Sequence, residues 1–136
     1  MSRRRVLVYV AGPFRAKTPY EVELNCDRAR AVAVAVARTV MGFPCCPHTM
    51  GRGLSGACPD QVWLDGDLDM MEVCDAVVVL PNFEKSTGTL GEVAVASTER
   101  IPTFFLTKVS DDPEDLFSCD GGEVLRELLG GAAPWS

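Results

Sequence analysis

The run Asp75-Ala76-Val77-Val78-Val79-Leu80 constrains the fold more than any other stretch of this chain. It is short, β-branched and apolar at nearly every position, so it predicts a central strand covered on both faces rather than an edge with one wet side. A second run of the same kind, Arg5 to Ala11, ends at Gly12-Pro13, a strand followed by a loop. Between such runs lie segments with helical spacing. From about Val22 to Met41, Leu24, Ala29, Ala33, Val36 and Val40 recur on one face, and Gly42 reads as the closing C-cap. Phe43–Pro47 reads as a second strand and His48–Pro59 as a long Gly-rich loop. Asp60 reads as the N-cap of a helix reaching about Val73. Pro81 to Thr87 turns, a helix follows from about Gly88 to Glu99, and Pro102–Leu106 is a further strand. Thr107–Ser118 reads as loop and Glu123–Leu129 as a final short helix.

Strands alternating with helices specify a parallel sheet, because right-handed crossovers place the helices on its faces. The expected architecture is a three-layer, flavodoxin- or Rossmann-like α/β domain of four to five strands with helices on both faces. Its 136 residues make one domain. In such sheets ligands bind at the carboxyl ends of the strands. That rule selects Gly12–Tyr20, Pro47–Asp60 and Pro81–Gly91.

The 13 Lys and Arg against 19 Asp and Glu give a charge of −6, the wrong sign for gripping a nucleic acid polymer by its phosphates. The basic run Arg3-Arg4-Arg5 leads directly into the first strand and reads as its flank. No stretch reaches the roughly 18 apolar residues of a membrane span. Gly12-Pro13 and Arg15 end the first apolar run too early for a signal peptide, so a cytoplasmic protein is expected. The six cysteines then read as reduced thiols. Cys45, Cys46, His48 and Cys58 match no standard zinc spacing, so no metal is expected.

Candidate chemistry concentrates in the loops. Ser86-Thr87-Gly88-Thr89 sits between a strand and a helix start, where free N–H groups and the helix dipole favour an anion; a simple helix cap fits the same pattern. Glu92 follows within two turns among small and apolar neighbours. It is a carboxylate placed to act as nucleophile or base, or one merely favoured by the dipole. Arg15 suits a phosphate or carboxylate and equally an exposed loop position. Tyr9 suits core packing or the orientation of a carboxylate. His48 suits a pocket donor, and Asp67 belongs to an acidic cluster with Asp65 and Asp69.

Three pieces, in order, resemble the nucleoside 2-deoxyribosyltransferase family, including its 2′-deoxynucleoside 5′-phosphate N-hydrolase branch. They are Val8-Tyr9-Val10-Ala11-Gly12-Pro13-Phe14-Arg15; Asp67-Leu68 followed by Cys74-Asp75-Ala76-Val77-Val78-Val79; and Ser86-Thr87-Gly88-Thr89-Leu90-Gly91-Glu92. The resemblance implies Glu92 as the nucleophile on the anomeric carbon of a nucleoside or nucleotide. It also implies Asp67 as the acid that handles the leaving base and Tyr9 as the residue positioning the nucleophile. Gly12, Arg15, Ser86 and Gly88 would cradle a 5′-phosphate; His48 has no counterpart in the resemblance and either contacts the base or shapes its loop. It implies a small-molecule substrate, no cofactor, and a homodimer or larger homo-oligomer. The tail 107–136 has no counterpart in it; in that family a neighbour's tail often completes the pocket. Two other readings stand beside it: a non-catalytic nucleotide-binding or regulatory module of the same fold, and an NAD-type glycohydrolase.

Overall fold

The structure is a computed structural model, and it describes residues 4–54 and 56–135. Arg3 of the basic run lies outside them. Four strands, β1 (Val6–Ala11), β2 (Gly42–Cys45), β3 (Ala76–Val79) and β4 (Thr103–Phe105), form one all-parallel sheet in the order β2-β1-β3-β4. The helices are α1 (Pro19–Ala37), α2 (Pro47–Met50), α3 (Asp60–Glu72), α4 (Thr87–Thr98), α5 (Pro113–Leu116) and α6 (Gly122–Leu129). The expected α/β architecture is the one observed, with four strands.

Alternation along β1 sorts its side chains onto two cores. Val6, Val8 and Val10 face α1 and the tail, packing with Val32, Val36, Leu116, Leu125 and Leu129. Tyr9 and Ala11 face the other way, with Val77 and Val79 of β3, Met71 of α3 and Ala96 of α4. The two central strands are thus buried on both sides. Leu116, Leu125 and Leu129 of the tail close the first of these cores within their own chain, and Trp135 is 68% exposed.

Several boundaries differ from the sequence reading, each for a local reason. Helix α1 starts earlier, at Pro19, because Thr18 caps it by accepting from Glu21 N–H and Pro19 fits the first turn. It ends at Ala37, and Gly42 is not its C-cap but the first residue of β2. The Thr39 hydroxyl donates to Val36 O and accepts from Gly42 N–H, folding the chain back sharply. A Cβ on Gly42 would stand 2.4 Å from Thr39 Oγ1, so a close approach explains this glycine. Asp60 is the first helical residue of α3 and caps nothing with its side chain; Pro59 holds the cap position. The loop expected at His48–Pro59 begins inside α2. The loop expected at Thr107–Ser118 contains α5, capped by Asp112 accepting from Glu114 N–H.

Asp75 ties the start of the sheet together. It accepts from Leu7 N–H and forms a two-pronged pair with Arg4, which holds its carboxyl below the usual range. This part of the Cys74–Val79 motif is structural.

Candidate active site

With strand order β2-β1-β3-β4, the chain leaves β1 toward opposite edges of the sheet, and the crevice between the carboxyl ends of β1 and β3 is the topological switch point. Ala11 and Val79 are register partners there, and Leu80 N–H donates to Ala11 O. Gly12 lies against Leu80: a Cβ would meet the leucine side chain at 3.1–3.2 Å. Small size at Gly12 keeps the floor of the crevice closed without pushing the strands apart.

On the α3–α4 side of the sheet, three sequence-predicted residues converge. Tyr9, fully buried in β1, donates its hydroxyl proton to Glu92 Oε2 on α4. Asp67 on α3 is near enough for its charge to act on both Glu92 and Tyr9. Burial raises the Glu92 carboxyl from 4.5 to about 7; the Tyr9 hydrogen bond opposes that rise and the Asp67 charge adds to it. Burial alone raises Asp67 to about 6. Burial, then the Glu92 charge, drives the Tyr9 phenol far above its ordinary value, so Tyr9 is a permanent hydrogen-bond donor and never a base. Two carboxyls that both titrate near neutrality, one of them clamped by a buried phenol, form an acid–base pair in the working pH range.

Asp67 also opens onto a cavity of about 360 Å³ between α2 and α3, walled by Met50, Val62, Trp63 and Met70. That volume lies in the lower part of the roughly 300–1,000 Å³ range of small-molecule sites. Its walls are thioethers, an indole and a valine, suited to a flat, weakly polar ring. None of Met50, Val62, Trp63 or Met70 was singled out as a ligand residue by the sequence: Val62, Trp63 and Met70 fall in the helix read from Asp60, where apolar side chains read as core, and Met50 falls in a segment read as loop.

The remaining predicted residues separate. Ser86 caps α4, accepting from the Thr89 N–H and hydroxyl, while Gly88 is exposed in the first turn. Arg15 is exposed and pairs with Asp60 at the start of α3, bridging the first loop to that helix. Such exposed pairs contribute about 0–1 kcal/mol. His48 is buried behind the first loop. Its Nε2 lies 3.1 Å from Gly12 O and 3.0 Å from Pro13 O, so it carries the proton and donates to two carbonyls. Burial lowers its basicity, and Nδ1 is buried without a partner among the described residues. Its ring meets Phe14 edge-on at 5.7 Å. His48 therefore fixes the loop from beneath, and its donor is spent there. Cys74, raised to about 12 by burial first and the adjacent Cys45 thiol second, is an unreactive thiol under Tyr9.

Residues 6–105 match the family described as "Domain of unknown function (DUF4406)", and the chain belongs to that family. No curated protein matches it.

Proposed function

We propose that this member of the DUF4406 family cleaves or transfers the N-glycosidic bond of a (deoxy)nucleoside or nucleoside 5′-monophosphate by a retaining mechanism, with Glu92 as nucleophile. The observation that carries the reading is the Tyr9–Glu92 hydrogen bond set beside Asp67. A buried phenol aimed at one carboxylate oxygen holds that group in a single orientation and leaves the other oxygen for an electrophilic carbon.

The chemistry follows from the two carboxyls. The Glu92 carboxylate attacks the anomeric carbon, a C–O ester bond forms, and the C–N bond breaks with its electron pair going to the base. Asp67 in its acid form gives the leaving base its proton. Water or a second base then attacks the same carbon, giving its proton to the Asp67 carboxylate, and the C–O bond to Glu92 breaks with its electron pair returning to the carboxylate, for net retention. A base seated in the cavity between α2 and α3 removes water from Asp67 and raises its proton affinity further. Positive charge developing on the sugar favours ionised Glu92. Substrate binding thus favours the proton on Asp67 and the charge on Glu92. Placing the base among Met50, Val62, Trp63 and Met70 leaves the sugar at Glu92.

The substrate is a small molecule, and in this reading the protein works as a homo-oligomer. The test is incubation with nucleosides, their 5′-monophosphates and NAD, followed by chromatography of released bases, with a second base present to separate transfer from hydrolysis. Release of free base from a nucleoside or its monophosphate is expected. Tight nucleotide binding with no turnover across the panel overturns the reading in favour of a binding module. Turnover of NAD alone assigns the same carboxylates to a nicotinamide glycohydrolase.

A further inference from the structure

A second cavity, of about 220 Å³, lies at the switch-point crevice itself, roofed by α1. Its floor is Pro13 after β1 and Leu80-Pro81 after β3. Asn25 and Arg28 reach it from α1 and Asn82 from the turn after β3. Neither Glu92 nor Asp67 lines it, and in a chain with 19 acidic residues no carboxylate does.

The cation in this cavity is unspent. Arg4, Arg15, Arg38, Arg52 and Arg126 each face a carboxylate. Among the described residues Arg28, like Arg5, Arg30 and Arg100, faces none, and of these four it is the one that lines the cavity; its one protein acceptor is Asn25 Oδ1, at 3.2 Å from Nη1. Asn25 is itself held, donating from Nδ2 to Phe14 O at 3.1 Å. The first loop thus orients Asn25, and Asn25 orients the guanidinium, leaving its other N–H groups for a ligand. Across the cavity Asn82 takes the left-handed conformation, φ 64°, and its side-chain amide has no protein partner among the described residues. Apolar Pro13, Leu80 and Pro81 beneath lower the local dielectric and strengthen a charge-assisted contact.

We infer that this crevice is a phosphoryl-binding subsite centred on Arg28, with Asn82 as a second donor. Its volume, below the roughly 300–1,000 Å³ of pockets for whole small molecules, fits a phosphoryl group with part of a sugar and not an entire nucleotide. A planar guanidinium with free forked N–H groups is matched to the tetrahedral oxyanion. Arg15, the cation singled out in the sequence for this task, is occupied by Asp60 on the outer surface.

The test is calorimetric titration of wild type, Arg28→Ala, Arg28→Lys, Arg15→Ala and Glu92→Gln with inorganic phosphate, ribose 5-phosphate and ribose at physiological ionic strength. Arg28 is exposed, so equal unfolding midpoints are the expected control. Arg28→Ala is expected to weaken phosphate and ribose 5-phosphate at least about 10-fold, and Arg28→Lys to lose part of that. Arg15→Ala and Glu92→Gln are expected to bind like wild type. Tighter binding of ribose 5-phosphate than of phosphate identifies a sugar phosphate as the source; equal binding identifies free phosphate. Wild-type affinity in Arg28→Ala, no phosphate binding by wild type, or a loss confined to Arg15→Ala overturns the inference. Because Glu92→Gln binds without turning over, failure here and failure of the glycosidic reading are separate results.

Discussion

Glu92→Gln is expected to lower base release from the best substrate by at least about 10³-fold, in line with removal of a nucleophile that nothing else replaces. Glutamine keeps the shape of the side chain and can still accept from the Tyr9 hydroxyl, so the fold and the cavity beside Asp67 persist. In the proposed mechanism, removing the charge removes the nucleophile that bonds the anomeric carbon. The measurement is initial rate by chromatography, with near-ultraviolet circular dichroism as the check on folding. Retention of more than a tenth of wild-type activity in a folded Glu92→Gln protein contradicts the assignment.

The same substitution is expected to stabilise the protein, and only above mildly acidic pH. The Glu92 carboxyl sits at about 7 in the folded chain against 4.5 when unperturbed. Below pH 4.5 it is neutral in both states, and its burial carries no ionic penalty. Between 4.5 and 7 the unfolded chain gives up the proton first, so stability falls as pH rises through that window; above 7 the loss is complete. Glutamine has no such titration. Denaturant unfolding should show the two proteins nearly equal at pH 4.5 and Glu92→Gln more stable at pH 8. The gap there is on the order of 2 kcal/mol, from about 1.4 kcal/mol per pKa unit, reduced because solvent reaches part of the group. Asp67 is present in both proteins, and its charge enters the difference only through the part of the Glu92 shift that it causes. A difference that does not change with pH contradicts the electrostatics of the site. A buried carboxylate that costs the fold stability at neutral pH is expected at a functional site rather than in a purely structural core.

The fold was legible because its strongest signals are local. The apolar runs of β1 and β3 declare buried parallel strands by composition alone, and the helical spacing between them leaves one architecture. Helix boundaries depart from the apolar spacing where a cap decides them. Thr18-Pro19 and Asp112-Pro113 are cap-and-proline pairs, and they mark the starts of α1 and α5. Gly42 misled because a glycine after a helix fits a C-cap as well as a close approach, and only the Thr39 side chain decides between them.

The site was harder, because its contacts are long in sequence. Tyr9 and Glu92 are 83 residues apart, and no local pattern pairs them; the ordered resemblance of three segments did. His48 looked available because a histidine after a strand usually ends in a loop. The short helix α2 instead turns it inward, to the carbonyls of Gly12 and Pro13. Arg28 was missed for the opposite reason: a charged residue in mid-helix reads as a solvated face. Only the crevice beneath α1 shows that this cation lacks a carboxylate and faces a cavity.

Acid-quenched mass spectrometry reads the proposed covalent chemistry at Glu92 directly. Wild type mixed with its best substrate and quenched during turnover should yield a peptide containing Glu92 heavier by the glycosyl residue, absent without substrate and absent in Glu92→Gln. Turnover with no adduct on that peptide, or an adduct on another residue, contradicts the account.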